Sequence, residues 1–188
     1  MSSSSINILH AYSVDIETLM IRDKNNTERW YRYGKLHRLD GPAIKYINGE
    51  EHWYKNGKLH RLDGPAIKTK DDDEEWYYNG EFHRLDGPAI NYLNGFKKWY
   101  IHGKLHRENG PAIEYRNGTT EWYINGKLHR KDGPAIKTKD NDEEWWLKGK
   151  RHRLDGPAIK TNDGFKSWYI NGNQLTEIEF NTIINEKK

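Results

Sequence analysis

Trp53-Tyr54-Lys55-Asn56-Gly57-Lys58-Leu59-His60-Arg61-Leu62-Asp63-Gly64-Pro65-Ala66-Ile67 returns, with few edits, along nearly the whole chain. Its leading tryptophan stands at Trp30, Trp53, Trp76, Trp99, Trp122, Trp145 and Trp168, always 23 residues apart. Six full repeats therefore cover 30–167, a seventh begins, and no insertion breaks the phase. A period this short and strict belongs to stacked repeat architectures, in which each unit buries its apolar side only against its neighbours.

Composition narrows the class. Of 188 residues, 34% are hydrophobic and 31% charged, a balance that by itself leans towards disorder. Eight Trp and twelve Tyr argue the other way, because regularly placed aromatics cover a thin sheet where a thick core is impossible. A net charge of +3, with signs alternating along the chain, weighs against nucleic acid, which calls for a clearly basic face. Without cysteine there is neither a disulfide framework nor a thiolate metal site. The N-terminus has no apolar signal region, and no apolar run approaches a membrane span. The expectation is a soluble cytoplasmic protein, with contact to a membrane surface unsupported.

Within a repeat the turn residues set the expected structure. Asn48-Gly49 lies between Pro42–Tyr46 and Glu51–Tyr54, and Asn-Gly is the strongest short hairpin signal because a type I′ turn needs positive φ at both residues. A two-residue turn there places Ile44 opposite Trp53, Ala43 opposite Tyr54, Lys45 opposite His52 and Ile67 opposite Trp76. Ile and Trp then share one sheet face, and Ala and Tyr the other. The map also sets Glu114 opposite Glu121, a like-charge pair it does not explain. The connection 56–64 reads as a wider turn leading to Pro65, a residue tolerated at a strand's first position.

The fold class expected is all-β: an elongated, single-layer antiparallel sheet of tandem 23-residue β-hairpin repeats with a short C-terminal capping helix. Residues 1–29 form an N-terminal tail and a degenerate capping half-repeat, 30–172 the array, and 173–188 the helical cap. Exposed sheet edges invite pairing with other chains, so atypical terminal units are needed. Ile21 precedes Trp30 by the same nine residues as Ile44 precedes Trp53, which extends the phase to Leu19. At the other end Thr176 and Glu179 spell a capping box, with Phe180, Ile183 and Ile184 following at helical spacing.

On Trp53, Asn56, Gly57, Lys58, His60, Gly64 and Asp72 the unit resembles the MORN repeat. Arg61 stands where that family usually has glycine after His, and Asp63-Gly64-Pro65-Ala66 replaces its Gly-x-Gly. The form is similar to variant repeats of giant viruses and large phages, and the likeness spans 19–172. The resemblance implies an extended, twisted sheet acting in protein–protein contacts, self-association or lipid binding, and a viral origin working in the host cytoplasm.

His-Arg recurs at His37-Arg38, His60-Arg61, His83-Arg84, His106-Arg107, His129-Arg130 and His152-Arg153, followed two residues later by Asp40, Asp63, Asp86, Asn109, Asp132 and Asp155. Arg61, Arg84, Arg107 and Arg130 are candidate sites for a repeating anion, one every roughly 10 Å. The structural reading has Arg and Asp bind each other and the turn backbone, since a wide turn must satisfy its own polar groups. The second reading is the expectation adopted. Tyr54, Tyr77, Tyr100 and Tyr123 form a parallel column that is either a binding surface or a shield for the sheet. Identical repeats argue against an active site, which is a single departure from its surroundings. One His per repeat does not gather three metal ligands. No catalytic residue, metal or cofactor is expected. The function expected is a non-enzymatic protein–protein interaction or assembly module, binding a protein partner or itself, with no small-molecule substrate. The alternative is a binder of a lipid headgroup or nucleotide signal through the His-Arg and aromatic face.

Overall fold

The computed structural model describes residues 18–186. The tail expected at residues 1–5 and the apolar stretch Ile6–Leu9 lie outside them. Short strands pair antiparallel in hairpin order, in a sheet that does not close on itself, and one helix follows. The described residues fall into two units divided between Leu93 and Asn94. In the first, Thr18–Arg22, Glu28–Arg32, Ile44–Lys45, Glu51–His52, Ile67–Lys68, Glu74–Glu75 and Ile90–Asn91 pair in chain order. The second runs Lys97–Lys98, Ile113–Glu114, Thr120–Glu121, Ile136–Lys137, Glu143–Glu144, Ile159–Lys160, Lys166–Ile170 and Asn173–Leu175.

Each repeat holds two hairpins rather than the one expected. After giving two strands to the sheet, the backbone of the interior repeats leaves it at the tryptophan and folds a small hairpin of its own, whereas Trp30 and Trp168 lie inside the continuous strands Glu28–Arg32 and Lys166–Ile170. Tyr54–Lys55 pairs with Lys58–Leu59, and Tyr77–Tyr78 with Glu81–Phe82. In the second unit Tyr100–Ile101, Tyr123–Ile124 and Trp146–Leu147 do the same with Lys104–Leu105, Lys127–Leu128 and Lys150–Arg151. Trp53 stands at the junction: its amide donates to the Ala66 carbonyl at 2.7 Å and its carbonyl accepts from His60 at 3.0 Å.

The expected register is wrong by one residue. Asn48-Gly49 is not a two-residue turn: Tyr46 and Glu50 close a three-residue loop, with the Tyr46 amide donating to Glu50 and the Gly49 amide to Tyr46. Of Asn48 and Gly49, only the glycine has positive φ, at 89°, as in a type I turn followed by a bulge residue. Ile44 therefore faces His52, Lys45 faces Glu51, and Ile67 faces Glu75. A one-residue slip sends every side chain to the other face. Extended by one residue, the true register sets Ala66 between Trp53 and Trp76, so Ala and Trp share one face. Ile shares the other with Glu75, and with Tyr77, whose hydroxyl meets Glu75. The puzzling like-charge pair disappears, because Glu114 faces Lys97 and Thr120 while Glu121 faces Ile113.

The true register explains the alanines. Ala43, Ala66, Ala89, Ala112, Ala135 and Ala158 are all 0% exposed, while the carbonyl of each accepts a tryptophan amide at 2.7–2.8 Å. A methyl group flanked by two indoles has no room to grow, and interiors packed at crystal density do not forgive extra volume. Ile44, Ile90 and Ile113 are buried on the other face.

Thr18–Arg22 pairs with Glu28–Arg32 in the phase of the later repeats, and its turn is held by Asp23 accepting from Asn25, Thr27 and Arg29. The helix Glu177–Asn185 starts at Thr176 with both halves of the capping box formed. Phe180 is buried, Ile183 and Ile184 are half-buried, and the helix packs on Lys166–Ile170 and Asn173–Leu175. Among the described residues no helix is long and apolar enough to cross a membrane.

Candidate functional site

The arginine column is packed against the tryptophans. The guanidinium carbon of Arg61 lies 3.9 Å from the Trp53 ring centre, that of Arg84 3.8 Å from Trp76, and that of Arg107 3.8 Å from Trp99. Arg38, Arg130 and Arg153 repeat the stack on Trp30, Trp122 and Trp145 at 4.1, 4.1 and 3.8 Å. Glycine covers the opposite side. A Cβ on Gly64 would stand 2.7 Å from the Arg61 guanidinium carbon, so any side chain at this position requires the guanidinium to shift on its indole. Trp, Arg and the glycine three residues after Arg therefore form one sandwich per repeat, with a cation–π contribution of about 0.5–2 kcal/mol.

The edges of the sandwich are also occupied. Arg61 Nε donates to Asp63 Oδ1 at 3.0 Å and a terminal nitrogen donates to the Pro65 carbonyl at 3.4 Å. Arg84 makes the same pair of bonds to Asp86 and Pro88. Arg130 Nε lies 3.5 Å from Asp132 and its terminal nitrogen reaches Pro134. Arg107 has no aspartate two residues on, since Asn109 stands there, and turns instead to Glu114 at 2.8 Å while keeping Pro111. All four candidate arginines therefore hold the proline carbonyl of their own turn, while the hydrogen bond to the aspartate two residues on is made by Arg61 and Arg84, and Arg130 Nε has no hydrogen-bond partner among the described residues. In return, the guanidinium hydrogen bonds hold the carboxyls of Asp40, Asp63, Asp86 and Asp155 below the ordinary aspartate range.

Histidine stitches one repeat to the next. The Nδ1 of His37, His60, His106, His129 and His152 accepts the backbone N–H of the residue 19 positions on: Asn56, Asn79, Asn125, Lys148 and Asn171. Each of those residues opens a small-hairpin turn at positive φ. Accepting there requires an unprotonated Nδ1, and at His37 and His106 the same nitrogen also lies 2.8 and 2.9 Å from the side-chain oxygen of that asparagine. Burial, then the charge of Lys55, lowers the His60 pKa against the opposing bond to Asn79. Burial, then Lys131 and Lys148, lowers that of His129.

On the other face the tyrosine column meets carboxylates that sequence reasoning had not singled out. Tyr77 donates to Glu75 Oε2 at 3.0 Å and Tyr92 to Oε1 at 2.6 Å. Glu121 takes Tyr123 and Tyr115 in the same way, at 2.8 and 3.0 Å. Trp146, the one exception in the column, keeps the arrangement by donating its indole N–H to Glu144. Burial and the adjacent carboxylates push Tyr92 and Tyr115 up to about 12 and raise Tyr77 and Tyr123 as well. Tyr54 and Tyr100 are raised by burial. The tyrosines are half-buried, with Tyr77 stacked on Phe82 at 4.2 Å.

What each repeat turns outward is the residue after His-Arg. Leu39, Leu62 and Leu85 are exposed, and shallow grooves lie beside them. The groove between the second and third of these leucines measures about 450 Å³ and is lined by Arg61, Leu62, Trp76, Tyr78, Arg84 and Leu85 among others. Among the described residues no group of three or more metal-ligating side chains comes together. The replacement of Leu39, Leu62, Leu85 and Leu154 by Glu108 and Lys131 in other repeats marks the position in sequence as exposed and not a pocket; the grooves beside it and the inward turn of the neighbouring arginine are what the structure adds. No protein-family model matches the chain. No curated protein is significantly similar to it.

Proposed function

We propose that this chain is a non-enzymatic binding module whose repeated loops dock another protein. The observation that carries the reading is the contrast between neighbours: the Arg61 side chain is 23% exposed and holds Asp63, the Pro65 carbonyl and the Trp53 ring, while Leu62 is 76% exposed. Apolar side chains recurring in the open at one place in successive repeats are what a docking surface needs, and scattered single ones are not. The anion-binding alternative draws on arginines that already hold aspartate, carbonyl and indole, and so gains less from the geometry. The resemblance to MORN repeats, a scaffolding role, and a setting in the cytoplasm of an infected host belong to this proposal.

Capture of partners from the native host on immobilised parent protein, beside a Leu62→Asp, Leu85→Asp variant, tests it. The expected result is a partner enriched by the parent and lost by the variant, with unchanged melting of the variant. Hydrolysis of a nucleotide, phosphodiester or glycoside by the purified chain, abolished by one His→Ala change, would overturn it.

A further inference from the structure

Leu39, Leu62 and Leu85 occupy the same place in three successive repeats of the unit Met1–Leu93. Asp40, Asp63 and Asp86 follow them directly and point outward too, the side chain of Asp63 being 80% exposed. Their arginine partners lie beneath, against tryptophan. The ridge thus offers solvent a row of leucines beside a row of ionised carboxylates. In residues 94–186 the leucine position holds Glu108, Lys131 and Leu154, so the uninterrupted row belongs to the first unit.

Spacing restricts what fits along such a row. Each repeat adds two strands, so equivalent residues stand about 9.6 Å apart. A β-strand laid along the ridge alternates faces and returns a side chain to one face at about 6.7 or 13 Å, out of step with the leucines. An α-helix returns after seven residues, about 10.5 Å, and drifts by about 1.8 Å over two repeats. Polyproline II returns every three residues in a step of about 9.3 Å and drifts by only about 0.6 Å. The groove at Leu62, Trp76, Tyr78 and Leu85 has the aromatic lining that such helices dock into.

We propose that this ridge binds a basic, proline-rich segment of a partner protein in the polyproline II conformation, one triplet per repeat. The apolar residue of each triplet lies against a leucine and a neighbouring Lys or Arg meets the aspartate. This rests on the binding-module reading and specifies its partner.

The test is fluorescence anisotropy of a labelled peptide of four Leu-Arg-Pro triplets titrated with the full chain. Saturable binding is expected, weakened about tenfold or more by Leu62→Ser with Leu85→Ser. It should be lost when the same residues are reordered out of the three-residue period. Absence of binding, or equal binding of the reordered peptide or by the double variant, overturns the proposal, the last two because charge alone then accounts for the contact. Tighter, leucine-dependent binding of a heptad-patterned amphipathic helix also overturns it, yet leaves the binding-module reading standing. That reading fails separately, if the partner captured from the host does not depend on Leu62 and Leu85.

Discussion

Every repeat contains two turns that both read Asn-Gly in the best-kept copy, and they fold differently. Asn48-Gly49 closes a three-residue loop with one positive φ, whereas Asn56-Gly57 is a two-residue turn with φ of 52° and 79°. Local preference does not separate them, since both pairs suit either geometry. The neighbouring repeat does. The Asn56 amide is taken by His37 Nδ1 and the Gly57 amide by the Leu36 carbonyl, both from the repeat before. A hairpin in a stacked array is thus chosen by what it is stacked on.

The largest effect should come from the alanine column, because the first turn sets which face it occupies. In the observed register Ala66→Leu overpacks the space between Trp53 and Trp76 and should cost about 1–3 kcal/mol in urea unfolding. Had the first turn been type I′, Ala66 would oppose a tyrosine on a half-wet face, and the change would be mild. Next in size is a Gly→Asn change made at each turn in turn. At Gly49 it should cost under about 0.5 kcal/mol, since Asp72 and Asn141 hold that place in other repeats at φ of 61° and 65°. At Gly57 the second type I′ residue is glycine in every copy, and about 1 kcal/mol should be lost. Equal costs would erase the distinction between the turns.

The smallest effect is on pH. His60 and His129 have folded pKa values below the ordinary histidine value, so protonation favours the unfolded chain. Their contribution is fully present above about pH 6.5 and is lost as pH falls through the folded values. Melting temperature should therefore fall between about pH 7 and pH 5, before the arginine-paired aspartates protonate. A flat profile there would remove histidine from the second turn's support.

Period, β class, the C-terminal helix and its Thr176–Glu179 capping box were all legible in the sequence, because each rests on local spacing. Register was not, because it rests on turn geometry one residue apart. Two clues pointed to it nonetheless. Gly34, Gly57, Gly80, Gly103, Gly126, Gly149 and Gly172 fill the second turn in all copies, while the first admits Asn26, Asp72 and Asn141. The unexplained Glu114–Glu121 pair was the other. Of the candidate site, the Arg–Asp pairing was readable from its spacing, whereas the Trp–Arg–Gly sandwich and the Glu75 and Glu121 clamps needed coordinates.

The most direct test of the central claim uses two adjacent residues, Arg61 turned inward and Leu62 turned outward. Arg61→Ala leaves the Pro65 carbonyl without its arginine donor and Trp53 without its stack, and should lose about 1–3 kcal/mol in chemical denaturation. Leu62→Ser should stay within about 0.5 kcal/mol of the parent. An Arg61→Ala protein that unfolds like the parent would contradict the structural role of the arginine column and bring anion binding to the front.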